Sequence, residues 1–264
     1  MRLLIRLRAT ADARYNNAAH HKLRGRLWKG LDRSEFDDLH DSGRPPGICN
    51  SQIFPWGEIE TGDQRHVLVA AADRDVLQAV ADGLVADREF NVGEMRFRIE
   101  EVVPLSPDVG EPGSTGTLET GSGVLVRIPP WRQDEYGIAD ESDGESLFWR
   151  PEYSTEPFQT QLVNNLDRKH NRFQPDYLPG PSDSDGDLFE EYELLKTYAL
   201  PLTVSEGEQR EVVLSKWRFG YRVRDDDHRR HLNLALDTGI GERNALGLGF
   251  LNIEDKTLPT GEPA

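Results

Sequence analysis

Cysteine is nearly absent. Cys49 is the only one in 264 residues, so no disulfide can form within the chain. A lone thiol suits a reducing cytoplasm, or it is simply a small buried residue. No stretch reaches the roughly 20 apolar residues of a membrane span, and the first residues lack a secretory apolar region. The expected setting is cytoplasmic, with no membrane association. Metal-ligand patterns are missing too: there is no H-E-x-x-H, no H-x-x-x-H and no paired-cysteine site. Asp183-Ser-Asp185-Gly-Asp187 hints at a calcium loop, but Leu188 stands where that loop needs glycine and Leu194 where it needs the bidentate Glu. No metal and no cofactor is expected. Neither a G-x-S-x-G elbow nor a G-x-x-x-x-G-K-[ST] phosphate loop occurs.

Lysine is scarce as well: six lysines stand beside twenty-five arginines, against 47 acidic residues and a net charge of −16. Such a balance disfavours ordinary nucleic-acid binding, which draws on a basic surface. It also fits a protein dissolved in a salt-rich cytoplasm, where self-repulsion is screened within a few ångströms. An RNA-binding chain of this kind must rely on arginine hydrogen bonds, stacking and shape, because counterion release weakens with salt. The competing reading is an acidic interaction protein that avoids nucleic acid.

What is present is glycine in a pattern. Gly239-Ile-Gly241-Glu-Arg-Asn-Ala-Leu-Gly247-Leu-Gly249-Phe250 places two G-x-G pairs around a polar turn carrying Arg243. Glycine permits positive φ and close backbone approach, and consecutive N–H groups in such a turn can cradle an anion. A tight connection between packed elements explains the same spacing.

Upstream, Leu3–Arg8 alternates as a strand, and Asn16–Leu31 has helical spacing with Leu23, Leu27 and Leu31 on one face. Ser34 can cap a short helix ending near His40. Ile48–Trp56 and His66–Ala72 read as strands, Asp73 caps a helix through Val85, and Met95–Val103 reads as a strand. The order is β-α-β-β-α-β. Pro104 to Gly123 reads as a linker. Farther on, Val124–Ile128, Leu194–Val204, Val212–Val223 and Leu248–Ile253 are strand candidates, with helices at Glu156–Asn171 and Asp226–Asp237.

The double G-x-G followed by an apolar strand, the opening Met1-Arg-Leu-Leu-Ile-Arg-Leu, Tyr15-Asn16, and Leu39-His40 before Ser51-Gln-Ile-Phe54 resemble the CRISPR repeat-processing endoribonuclease family. These are the pre-crRNA endonucleases of the RAMP superfamily. The resemblance spans residues 1 to about 255. It implies an α+β chain of two tandem ferredoxin-like (RRM-like) β-α-β-β-α-β domains with a C-terminal glycine-rich loop. The domains would cover 1–108 and 109–256, with 257–264 a disordered tail. The implied partners are CRISPR repeat RNA and its crRNA product, and through them a type I interference (Cascade) complex. The alternative on the same fold is a non-catalytic RNA-binding subunit.

With metal and covalent chemistry lacking motifs, acid–base chemistry on RNA remains, because RNA brings its own 2′-hydroxyl nucleophile. Histidine suits the proton transfer and arginine the charge on the phosphorane. Seven histidines compete. By chemistry His40 is one among them, while His20, His21, His170, His228 and His231 read as surface or RNA-facing residues and His66 as structural. The resemblance selects His40, in its Leu-His context before a Pro- and Gly-containing turn. It also implies a helical tyrosine and a lysine, but Trp28 and Arg44 stand at those positions, leaving Arg44 as the candidate stabiliser. RNA contacts are expected from Arg6, Arg8, Arg24, Ser114, Arg243, the backbone of Gly239, Gly241, Gly247 and Gly249, and the strand residues Ser215, Lys216 and Tyr221. For those three the competing reading is a strand with Trp217 buried and Lys216 solvated.

Overall fold

Alternation of apolar and polar residues fixes the first strand, β1 (Arg2–Ala9): Leu3, Ile5, Leu7 and Ala9 go inward and the arginines between them outward. The structure, a computed structural model, describes residues 1–16, 19–32, 34–39, 47–138, 144–205 and 208–259. His40, Arg44 and residues 260–264 of the expected tail lie outside the described residues. Two compact units are present. The first comprises Met1–Ser106, Pro201–Arg210 and Asn244–Gly247; the second comprises Pro107–Leu200, Glu211–Arg243 and Leu248–Ala264.

In the first unit β1 is followed by β2 (Ala13–Arg14), α1 (His20–Trp28), β3 (Ile48–Asn50), β4 (Glu58–Ile59), β5 (Gln64–Ala71), α2 (Arg74–Ala86), β6 (Glu89–Val92) and β7 (Met95–Leu105). The main sheet runs β3-β5-β1-β7-β6, every neighbour antiparallel. Asp73 caps α2 by accepting from the Asp75 N–H at 2.9 Å. The helix then buries Val76, Leu77, Val80 and Leu84 against the inward residues of the sheet. Gly83 meets the 3-10 turn after α1 so closely that a Cβ there would lie 2.0 Å from Gly30 O. Three strands were not expected: β2 and β4, which pair with each other, and β6, which pairs with β7 across a two-residue turn opened by Gly93 at φ +64°. The expected strand over Ile48–Trp56 is shorter, pairing as β3 and then through a single bridge from Phe54 to His66.

The second unit contains β8 (Thr115–Thr120), β9 (Arg127–Ile128), α3 (Pro130–Gln133), β10 (Leu147–Phe148), α4 (Glu156–Phe173), most of β11 (Glu191–Ser205) and of β12 (Glu208–Arg222), whose ends from Pro201 and up to Arg210 belong to the first unit, α5 (Asp226–Thr238) and β13 (Leu251–Thr257). Its sheet runs β11-β12-β8-β13. Here the expected linker over Pro104–Gly123 is corrected, because β8 lies inside it and forms an interior strand. Its residues are small for a reason: a Cβ on Gly116 would lie 2.5 Å from Asp255 O and 2.7 Å from the Tyr221 hydroxyl. Of the expected strand Val124–Ile128, only Arg127 and Ile128 join a ladder, with β10; Val124 and Leu125 form isolated bridges. The core is aromatic, with Phe158 stacked on Trp217 and Phe189 on Phe219, each pair at 4.4 Å between centroids.

The two units share one plan. In each, a strand leads through a helix to the sheet's edge or near-edge strand, back to a neighbour of the first strand, and through a second helix to the first strand's other side.

Candidate nucleic-acid interface

The glycine-rich segment divides between the units. Asn244–Gly247 belongs to the first, where it lies against α1 and the segment after β3. His20, at the start of α1, is buried there, and its Nδ1 lies 2.8 Å from the Leu246 carbonyl oxygen. That acceptor requires the hydrogen on Nδ1, which puts the ring's lone pair on Nε2. The Gln52 amide nitrogen lies 2.9 Å from the same ring nitrogen and donates to the Gly247 carbonyl oxygen at 3.4 Å. Burial pushes the His20 pKa down, only partly offset by the Leu246 hydrogen bond, so the ring is held neutral. Gly247, at φ +77°, fits where a Cβ would sit 2.7 Å from Asn50 Nδ2. His20 was expected at the surface; the correction follows from its carbonyl partner 226 residues away, which local spacing does not reveal.

In the second unit, Gly239, Gly241 and Gly249 have φ of +74°, +68° and +65°. A Cβ on Gly241 would meet Leu125 O at 2.6 Å. The N–H groups of Ile240, Glu242 and Gly249 donate to Gly249, Leu125 and Gly123, and within the first unit Gly247 donates to Asn244. Those four donors are spent inside the protein, so an anion cradle cannot be built from them. Close packing accounts for the glycines. Arg243 is exposed, and at φ +55° it is the non-glycine residue of positive φ among the described residues. Lys169 Nζ donates to Gly239 O at 2.6 Å, on the C-terminal end of α5.

The other expected contacts sort by burial. Arg6 and Arg8 point outward from β1, with Arg6 3.4 Å from Glu101 and Arg8 2.7 Å from Glu100. The Arg24 guanidinium lies 5.6 Å from the Trp28 ring centroid. Ser114 is buried behind Gly110. Along β12 the strand period separates residues expected to act together: Ser215, Trp217, Phe219 and Tyr221 face the core, while Lys216 and Arg218 face away. Ser215 Oγ accepts from the Trp217 indole at 2.7 Å and Tyr221 donates to Val109 O at 3.1 Å. Expected RNA contact by the Ser114, Ser215 and Tyr221 side chains is therefore corrected to packing. Lys216 is half-buried, with its pKa lowered by burial and then by Lys196.

His170, His228 and His231, expected on solvated or RNA-facing surfaces, are buried to within 2% of full burial. Their Nε2 atoms hold the carbonyls of Leu178, Leu188 and Pro179 at 3.1, 3.0 and 2.9 Å. They fasten the acidic segment after α4 to the helices. Among the described residues no group of three or more His, Cys, Asp or Glu is placed to hold a metal. Among the described residues, no helix is long and apolar enough to cross a membrane.

Residues 109–253 match the family model described as CRISPR associated protein Cas6, C-terminal. The chain is 54% identical to the CRISPR-associated endoribonuclease Cas6 of Haloferax mediterranei, over 98% of its own length and 96% of that protein. It is 22% identical to an endoribonuclease of the same name, Cas6 2, from Methanocaldococcus jannaschii, over 96% and 99%. A solved CRISPR associated protein Cas6 superposes at TM-score 0.67 with 16% identity, covering 97% of this chain and 99% of that one.

Proposed function

The chain belongs to the Cas6 family of CRISPR-associated endoribonucleases, and on that premise we propose that it cuts CRISPR precursor RNA within each repeat to yield mature crRNA. The observation that carries this is the 54% identity to the Haloferax enzyme along 98% of the chain. The shared plan of the two units supports reading each as ferredoxin-like: β1-α1-β3-β5-α2-β7 in the first and β8-α4-β11-β12-α5-β13 in the second, both in the sheet order second-third-first-fourth.

In the proposed reaction the 2′-oxygen beside the scissile phosphate forms a bond to phosphorus as the bond from phosphorus to the 5′-oxygen breaks. A base takes the 2′-hydroxyl proton and an acid gives one to the departing 5′-oxygen. The products are a 2′,3′-cyclic phosphate and a 5′-hydroxyl, and the RNA supplies the nucleophile without a metal. His40 serves as the base or the acid, and Arg44 stabilises the charged phosphorane. Arg24 and Arg243 contact phosphates. The crRNA, still held, would carry the protein into a type I interference (Cascade) complex.

The test is cleavage of a labelled repeat RNA in molar KCl with EDTA. Wild type cuts the all-ribose repeat; His40→Ala lowers the rate by about 10²–10⁴-fold, and a 2′-deoxy nucleotide at the cut site, which lacks the nucleophile, abolishes cutting. Cleavage surviving in His40→Ala overturns that assignment. Binding without cleavage by wild type makes the chain a non-catalytic RNA-binding subunit.

A further inference from the structure

The face of the first unit's sheet opposite α1 and α2 carries a pattern that packing does not explain. Strand register lines up two rows of outward residues. One runs Phe54, His66, Arg6, Glu101, and the other Gln64, Arg8, Arg98, Glu89. Arg6 thus stands directly opposite His66, and Arg8 directly opposite Arg98. The Arg8–Arg98 pair sets two cations facing each other across a strand pair, which destabilises a sheet, in a chain of net charge −16. Glu101 and Glu100 pair with Arg6 and Arg8. Arg98 is exposed and has no partner among the described residues. It lines a shallow depression of about 680 Å³ with Arg88 and Arg96, beside a cavity of about 360 Å³ lined by Arg6, Gln64, His66 and Glu101.

An aromatic row begins where the cations end. His66 stacks on Phe54 at 5.9 Å between centroids and Phe54 meets Trp56 at 5.1 Å. Trp56 is 50% exposed, an unusual position for an indole. It is held in place, because the Tyr15 hydroxyl accepts from the Trp56 indole and the Ile53 N–H. Burial, then the Arg6 charge, lowers the pKa of His66 and keeps its ring neutral. A flat, pre-positioned aromatic surface on the same sheet face as the open Arg98 guanidinium matches an unpaired nucleobase and a flanking phosphate. A folded protein partner would be served as well by the aromatics, but not by the facing arginines.

We propose that this sheet face is a separate subsite for a single-stranded stretch of the RNA, with one base stacked at Trp56, Phe54 and His66 and the neighbouring phosphates on Arg98 and Arg96. The proposal rests on the RNA-processing reading above and adds to it a site distant in sequence from both His40 and the glycine-rich segment.

The experiment measures binding of a fluorescein-labelled repeat RNA, 2′-deoxy at the cut site, by anisotropy across a KCl series. The full-length protein is compared with Trp56→Ala and Arg98→Ala. Losing one stacked base raises Kd by about 5–150-fold for Trp56→Ala and leaves the slope of log K against log salt unchanged. Arg98→Ala lowers that slope by about 1, as expected for one lost phosphate contact. Arg98 is exposed and unpartnered among the described residues, so its variant reports even if Trp56→Ala disturbs folding. Binding by wild type that neither variant changes by more than about twofold overturns the subsite and leaves the RNA-processing reading standing; a protein partner on this face would give that result. No binding by wild type overturns both.

Discussion

Acid should destabilise this protein between pH 7.5 and 5.5, through histidines that folding keeps neutral. His20, His228 and His231 are each at least 94% buried, and burial is the leading cause lowering each pKa below its ordinary value near 6.5. The unfolded chain then binds more protons than the folded one. Stability is fully present above about pH 6.5 and is lost as pH falls toward the folded-state pKa values. A histidine held neutral throughout this window loses about 1.4 kcal/mol at pH 5.5, from one proton with an unfolded pKa near 6.5. Three such residues set an upper bound of about 4 kcal/mol. Carboxylates of ordinary pKa titrate mostly below pH 5, so the window isolates the histidines. Urea unfolding in molar KCl, followed by tryptophan fluorescence at pH 7.5, 6.5 and 5.5, reads the loss directly. In the double variant His228→Gln, His231→Gln the pH-dependent part should shrink by up to about 2.7 kcal/mol, leaving the contributions of His20 and of the more exposed His66. Stability independent of pH across the window, or a double variant retaining the whole loss, refutes the reasoning.

Two further perturbations follow from close backbone contacts. Gly83→Ala drives a methyl group into Gly30 O, which would lie 2.0 Å away, and should destabilise the first unit by about 3 kcal/mol, measured as a lowered urea midpoint. Gly247→Ala combines a φ of +77° with a Cβ 2.7 Å from Asn50 Nδ2; it should cost about 1–2 kcal/mol for the left-handed backbone alone and slow repeat cleavage, while Gly25→Ala, with nothing within 4 Å of its new methyl, should leave thermal stability unchanged or raised.

Local periodicity carried the parts of the fold that local forces determine. The alternation in β1 and the Asp73 cap with its apolar stripe in α2 are written in consecutive residues, and both elements form where the pattern puts them. β8 is different. Thr115-Gly-Thr-Leu-Glu-Thr reads as a linker because only Leu118 is a buried apolar residue in it, and its place in the sheet depends on β12 and β13 about a hundred or more residues away. The histidines fail for the same reason: their partners are carbonyls of Leu246, Leu188, Pro179 and Leu178, which leave no mark on side-chain spacing. On β12 the residues were identified but not their direction. Period two sends Ser215 and Tyr221 inward and Lys216 outward, and a cluster read by composition alone merges the two faces.

On the proposed RNA-binding reading, the acidic composition also limits what the arginines can do. In molar salt the Debye length is about 3 Å, so a cation attracts phosphate only at contact. Arginines already committed to carboxylates contribute little there. Arg218 is an example, with Glu254, Glu193 and Glu119 at 2.8, 3.0 and 3.2 Å; it shapes the sheet surface rather than attracting RNA. The useful cations are those whose forks remain open, which among the described residues singles out Arg98 on the first sheet. Base stacking involves no net charge and is insensitive to screening, so an exposed, anchored indole gains relative weight as salt rises. On the proposed reading the scarcity of lysine and the exposure of Trp56 have one cause: recognition that relies on planar groups in contact instead of charge at a distance.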